Sequence, residues 1–272
     1  SKRIRENIFN DKKSDSAFKT ICVEEYLSGD EVSIFAVSDG CSYKILGSAQ
    51  DHKNIYDGDK GPNTGGMGTY SDSDHSLPFL NDNDIALACE INRLTAKALK
   101  DKFSEGYKGI LYGGFMITGN GVKLIEYNAR FGDPEAMNVL SILESDFIDI
   151  CTGIANGTLA TTEVAFQKKS TVCKYAVPEG YPDSPVKGET IDVSNIENIE
   201  RLFYASVDFK EGKLIEAGSR TIATVGVANS IVQAEIIAEK EISAVSGPLF
   251  HRSDIGTKAV IEKRIDHVNT LR

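Results

Sequence analysis

The sequence predicts an α+β protein in which antiparallel hairpins alternate with helices. Asp39-Gly40 and Gly119-Asn120-Gly121 each lie between two apolar runs, as in a hairpin whose turn needs positive φ at its centre. Residues 84–103 carry Ala88, Ile91, Leu94, Thr95, Ala98 and Leu99 at spacings of three and four, the period of a helix with one apolar face. Ser230-x-x-Gln233 opens another such run, the pattern of a capped helix start.

Taken in order, residues 1–19 are charged and helix-compatible, without a clean cap. KTICVEEYL (19–27) reads as a strand, and VSIFAV and SYKILGSA as the arms of a hairpin over 32–49. A glycine-rich loop, 57–69, leads to the 84–103 helix. ILYGGFMIT and VKLIEYNAR form the second hairpin. Alternation in its outgoing strand buries Ile125 and Tyr127 and sets Glu126, Asn128 and Arg130 on the other face. Asp133 then caps a helix with Pro134 at its first position and Glu135 in its first turn, ending near Glu144. A further helix runs from Ser145 to about Gly157.

The pattern weakens over 157–170, which sets a domain boundary at 166: residues 1–166, then a smaller unit, 167–272. The second unit holds the strand STVCKYAV, the turn-rich PEGYPDSPVKG and short strands near 201–217. The strand RTIATVGVA and a helix from Ser230 to about Val245 follow.

Composition excludes several classes. The 272 residues are 41% hydrophobic and 26% charged, a globular profile. A net charge of −10 argues against broad binding to nucleic acid or an anionic membrane, but not against a small anion held by local cations. No apolar run approaches the ~20 residues of a membrane span, and the basic start lacks the apolar segment of a secretory signal. Five scattered cysteines without CxxC spacing read as reduced, mostly packed thiols of a cytoplasmic protein. Four scattered histidines do not suggest zinc.

Three stretches can carry chemistry. IEYNARFGDPE (125–135) aligns a carboxylate, a carbonyl oxygen and a guanidinium, which suits a metal-bound polyphosphate and equally an ordinary ion pair at a strand end. GPNTGGMG (61–68) has four glycines in eight residues. Its amides can form an anion-binding nest, and it can equally be a plain surface loop. Asp51, His52 and Lys53 precede it as a donor–acceptor cluster. VEEYLSGDE (23–31) places acids beside an apolar strand, suited to a purine amino group and a ribose or simply to a solubilised edge. No nucleophile triad stands out.

In order along the chain, VEEYLSGDEVS, QDHK…DKGPNTGGMGTYS, YKGILYGGFM and IEYNARFGDPE resemble the phosphoribosylamine–glycine ligases, ATP-grasp enzymes of purine biosynthesis. The likeness continues through GYP (180–182), AGSR (217–220) and RSDIG (252–256). It implies an ATP-grasp lobe with an antiparallel sheet, followed by a small α+β carboxy-terminal domain. Glu126 and Asn128 would hold Mg²⁺ or Mn²⁺ against ATP phosphates, and Arg130 would neutralise phosphate charge. Asp133 would cap a helix whose amides face anions. Glu24, Glu25 and Leu27 match the adenine-binding linker, and Glu31 a ribose contact. Asp51, Lys53 and the loop Asn63, Thr64, Gly65, Gly66 and Met67 match the segment that meets 5-phosphoribosylamine and glycine, and Asp133 joins that substrate-binding set. Many ATP-grasp relatives carry another metal-binding glutamate on the preceding strand; YGGFM has none, as in this ligase family.

The resemblance implies glycyl phosphate formation from glycine and ATP, then capture by the amine of phosphoribosylamine, with no general base named. It also implies that the amino-terminal part of the enzyme is missing, including a glycine-rich phosphate-covering loop. A truncated form, a proteolytic product and one half of a split enzyme all fit. The chain alone is then expected to be poorly active, with an apolar face where the missing part would sit. The competing readings are a non-catalytic ATP-binding or interaction fragment and another ATP-grasp carboxylate–amine ligase.

Overall fold

The computed structural model describes residues 23–272. The helix expected over 1–19 and the first residues of the KTICVEEYL strand lie outside them. The described remainder of that stretch, 23–28, is not a strand: it has no regular structure, and Val23 and Tyr26 are each 90% exposed. The apolar residues that suggested a strand find no ladder there, and strand pairing begins only at Asp30.

The first hairpin joins β1 (Asp30–Asp39) to β2 (Tyr43–Asp51). Asp39 Oδ1 accepts from the amides of Cys41 and Ser42 at 2.9 and 2.6 Å, and Gly40 takes φ +89°. The glycine-rich stretch is more ordered than a simple loop. It contains the small ladder β3 (Asn54–Tyr56) with β4 (Lys60–Asn63), then β5 (Gly68–Ser71). Helix α1 (Asp82–Lys102) opens with a reciprocal capping box between Asn81 and Asp84. Its inward face turns on Asp84, Ala88 and Asn92, while Leu94 is 49% exposed, so the expected apolar stripe is rotated. The second hairpin, β6 (Lys108–Thr118) and β7 (Gly121–Asn128), turns on Gly119-Asn120.

Helix α2 (Glu135–Leu140) is shorter than expected, because Leu143 leaves it to bridge Phe166. Helix α3 (Phe147–Asn156) is capped by Asp146 and ends at Gly157 in the left-handed conformation. Then come β8 (Ser170–Pro178), β9 (Thr190–Ile191), β10 (Leu202–Tyr204), β11 (Val207–Lys210), β12 (Lys213–Glu216) and β13 (Ile222–Ala228). Helix α4 (Ile231–Ser243), capped by Ser230, precedes β14 (Leu249–His251). The chain closes with α5 (Lys258–Leu271), a helix the sequence pattern did not reveal.

One antiparallel sheet runs β10-β13-β8-β5-β2-β1-β6-β7, with β14 also on β8. Strands on both sides of residue 166 therefore share a ladder, through β5 and β8. On one face Val32, Ile34, Phe115, Ile117 and Val122 pack with Ala88 of α1 and with Ile261 and Val268 of α5. On the other, Phe35, Val37 and Tyr112 pack with Val139 of α2 and Ile150 of α3. Helix α4 lies so close to β13 that a Cβ at Gly226 would sit 1.8 Å from the Ala234 carbonyl oxygen. Among the described residues no helix is long and apolar enough to cross a membrane. The four described cysteines are free; Cys173 is buried, but Cys41 and Cys151 are exposed rather than packed.

Candidate active site

A single extra residue decides which way β7 presents its polar side chains. Val122 and Leu124 pair with Ile117 and Phe115, on the sheet face covered by α1. Simple alternation would put Glu126 and Asn128 on that same face. The register instead shifts between Gly114 and Phe115, leaving Ile125 as a bulge. Beyond it the phase is reversed. Tyr127 now faces α1, its hydroxyl donating to Asn92 at 2.8 Å, and Glu126 and Asn128 turn to the opposite face. Asn128 Nδ2 donates to Glu126 Oε1 at 3.2 Å. The expectation that Ile125 is buried does not hold: as the bulged residue it is 38% exposed. Gly114 lies directly beside Glu126, so a Cβ there would meet the Glu126 side chain at 3.5 Å.

The same face carries an acid-rich cluster. Lys53 is ion-paired to Glu31. Burial works against the charge on Lys53, but its bond to Glu31, with Asp51 and Glu126 nearby, holds its pKa above the usual value. Glu135 is 2% exposed and accepts from Tyr112 Oη at 2.9 Å and Ser33 Oγ at 3.3 Å. Burial raises its pKa and that of Asp51, with the Glu135 charge adding to the effect on Asp51. Asp51 Oδ1 is buried without a hydrogen-bond partner. A buried Asp51 oxygen without a partner, beside the buried Glu135 and Lys53, leaves hydrogen-bonding capacity for a ligand group.

The glycine loop closes over Asp51. Thr64 bonds back to the Lys53 carbonyl through both its amide (2.7 Å) and its hydroxyl (2.8 Å). Gly66 has φ +115°, and a Cβ there would lie 2.7 Å from Pro134 and 2.8 Å from Asp51 Oδ1. Only glycine allows this approach. Met67 is fully buried in the core, so only its backbone is near the site, whereas Asn63 is exposed and accepts from Asn54 Nδ2 at 3.2 Å.

Asp133 does not cap α2. Pro134 occupies the cap position with no side-chain bond. The Asp133 carboxylate instead accepts from Tyr175 Oη at 2.8 Å and from Arg220 at 2.9 Å, because those stronger partners reach it from the carboxy-terminal strands. Arg130 is exposed and donates to the Phe131 carbonyl at 2.8 Å.

Glu24, Glu25, Tyr26 and Leu27 form one wall of a cleft of about 480 Å³. The facing wall is Met116, Lys123, Leu124 and Ile125 of the second hairpin. The expected adenine-linker residues thus lie beside the strand that carries Glu126.

Sequence reasoning did not assign roles to Glu135, Tyr112, Arg220 or Arg252. Arg252, 1% exposed, binds Asp59, Asp254 and the Asn54 carbonyl oxygen, and Ser253 binds Asp57. The RSDIG motif therefore anchors the β3–β4 ladder that leads into the glycine loop. A charged residue inside a turn motif far from the site was the available signal.

Glu126 and Asn128 offer two oxygen donors on an exposed face. That fits a hard divalent cation taking its remaining ligands from phosphate and water. Among the described residues no group of three or more His, Cys, Asp or Glu converges as a closed metal cage.

This sheet, with its polar face under a glycine loop, is the architecture of an ATP-grasp protein. Residues 1–136 match the family model "Phosphoribosylglycinamide synthetase, ATP-grasp (A) domain", and residues 171–258 match "Phosphoribosylglycinamide synthetase, C domain". The chain belongs to the phosphoribosylglycinamide synthetase family. It is 49% identical over 253 residues to the phosphoribosylamine–glycine ligase of Methanosarcina barkeri, covering 93% of this chain and 58% of the relative. It is 51% identical over 256 residues to that of Methanocaldococcus jannaschii, covering 93% and 57%. The crystal structure of the Thermotoga maritima phosphoribosylamine–glycine ligase superposes with a TM-score of 0.75 at 30% identity, covering 85% of this chain and 57% of that one. The chain thus spans somewhat over half the length of these relatives. ATP and divalent-metal use are typical of the family.

Proposed function

We propose that this chain is the ATP-grasp region (1–166) and carboxy-terminal domain (167–272) of a phosphoribosylamine–glycine ligase. The observation that carries the reading is the bulge at Ile125, which turns Glu126 and Asn128 onto the face holding Glu31, Lys53, Asp51 and Glu135. Phosphate, amine and carboxylate groups would meet there.

In this reading the adenine of ATP lies in the cleft walled by Glu24, Glu25 and Leu27, with Glu31 near the ribose. Glu126 and Asn128 hold Mg²⁺ or Mn²⁺; when bound, the ion neutralises polyphosphate charge. Arg130 supplies fixed positive charge to the transferring phosphoryl group. Lys53 orients an anionic substrate group, and Asp51 an amino group. Residues Asn63–Met67 close over glycine and phosphoribosylamine, and Asp133 holds the facing turn. Glycine carboxylate oxygen bonds to the γ-phosphorus as ADP leaves. The amine nitrogen of phosphoribosylamine then bonds to the glycyl carbon as phosphate leaves, with loss of a proton.

The test is ADP release dependent on both glycine and phosphoribosylamine, from this chain alone and after adding the remaining part of the protein. Turnover only in the mixture supports the ligase and the need for the remainder. Turnover by the chain alone keeps the ligase and removes that need. No turnover in either favours a non-catalytic nucleotide-binding fragment. Use of other carboxylates in place of glycine favours a different ATP-grasp ligase.

A further inference from the structure

Arg220 ends the AGSR turn between β12 and β13, yet its side-chain hydrogen bonds go to residues of the first half of the chain. Its Nη1 donates to the carbonyl oxygens of Gly65 (2.8 Å), Gly66 (3.2 Å) and Asp133 (2.7 Å). Its Nη2 pairs with the Asp133 carboxylate at 2.9 Å. The guanidinium stacks over Tyr175, 4.8 Å from the ring centroid, and the Tyr175 hydroxyl bonds the same carboxylate. One planar fork therefore fixes two segments: the glycine loop and the turn that leads into Glu135.

Both segments bound the same space. Gly66 overhangs Asp51 Oδ1, the buried oxygen that has no partner, and Pro134 touches Gly66 from the other side. Packing leaves no slack around the fork, since a Cβ at Gly65 would lie 3.0 Å from the Arg220 guanidinium carbon. Arg252 is a useful contrast. It is almost wholly buried and grips the distant end of the β3–β4 ladder, so its role is to hold the fold. Arg220 is 16% exposed and grips the loop at its tip, where a ligand would meet it.

We infer that Arg220 is a positioning residue: it sets the gap between the glycine loop and the Asp133–Glu135 turn, and so the fit of the amino and amine substrates above Asp51. The inference rests on the proposed ligase function for its kinetic part and on geometry alone for its structural part. Lysine at this position could keep the ion pair with Asp133. It could not reach the carbonyls of both segments, because its single ammonium lacks the planar fork.

The test compares Arg220→Ala and Arg220→Lys in two settings. In this chain alone, amide hydrogen exchange of residues 63–67 and 132–136 is expected to rise at least about tenfold in Arg220→Ala, with β8 and β13 still protected. Unchanged exchange in both segments would overturn the inference. In the enzyme completed with its remaining part, kcat/KM for glycine and phosphoribosylamine is expected to fall about a hundredfold, the scale of an ångström misplacement. KM for ATP should stay within about twofold, and Arg220→Lys should recover only part of the loss. Equal losses for all three substrates, tracking a loss of folded protein, would show a purely structural residue and overturn the inference. If the unsubstituted complete enzyme is silent while exchange changes as expected, the ligase reading fails and the positioning role stands.

Discussion

Asp51 and His52 are adjacent, face opposite sides of the sheet, and respond to burial in opposite senses. The Asp51 carboxyl is pushed well above its ordinary 3.8 by burial and by Glu135. The folded state keeps a proton that the unfolded chain loses above pH 3.8. Stability from this residue is fully present below that value and declines as pH rises through the folded pKa. Asp51→Asn should therefore gain stability over the parent as pH rises from 4 to 8, measured by urea unfolding; a constant difference across that range would contradict the burial argument. His52 is held down to about 3 by burial and by Arg252 and Arg264. The unfolded chain takes up a proton near 6.5 that the folded state refuses, so His52 costs stability as pH falls from 6.5 toward 3. Relative to His52→Asn, the parent should lose about 1.4 kcal/mol per pH unit across that window. Equal acid sensitivity of the two proteins would remove His52 as the cause.

At the scale of elements, local signals in the sequence were legible and relations between segments were not. Asp39-Gly40, Gly119-Asn120, Ser230 and Gly157 punctuate the chain as their chemistry dictates, because a turn or cap depends on residues a few positions apart. Asp133 looked like a cap because Tyr175 and Arg220, its actual partners, are distant in sequence. Helix α5 was missed although Val260, Ile261, Ile265 and Val268 give it an apolar face. It buries Val260, Ile261 and Val268 and adds ion pairs to distant segments, Arg264 on Asp30 at 2.5 Å and on Asp59 at 2.8 Å. Glu126 and Asn128 were legible as a pair sharing one face, but the bulge that selects the face depends on register with β6. Two substitutions separate chemistry from geometry. Glu126→Gln should leave the melting temperature unchanged and lower kcat/KM of the completed enzyme about a hundredfold, a few kcal/mol of lost charge stabilisation. Deleting Ile125 leaves Leu124 and Glu126 paired with the consecutive residues Phe115 and Gly114, so Glu126 and Asn128 should keep their face and turnover of the completed enzyme should persist. A stable deletion variant without turnover would refute the idea that the bulge acts only through the face it selects.

Across the whole molecule, the two family regions are parts of one sheet. β5 pairs with β8 from Gly68↔Lys174 to Ser71↔Thr171. Lys174, wholly buried, is held by Glu235, Glu239 and the Ser253 carbonyl oxygen. Arg252 and Arg220 add ties between the halves. The chain should therefore unfold in one cooperative transition, with calorimetric and van't Hoff enthalpies equal; two resolved transitions would show that residues 1–166 and 167–272 melt as separate domains. Arg252→Met should lower stability by about 3 kcal/mol, since it leaves Asp254 without a cationic partner in a partly buried site while Asp59 keeps Arg264 and Lys263. At the cleft Tyr26, Leu124 and Ile125 are exposed.

β7 is also the last strand of the sheet, and its outer edge has no strand beside it among the described residues. A straight apolar edge of that kind recruits further strands, from a second molecule or a growing fibril. The extra residue at Ile125 breaks the regular spacing of amides and carbonyls, and Lys123 places a charge just before it. The kink that turns Glu126 and Asn128 onto the polar face thereby also makes the edge a poor template for aggregation.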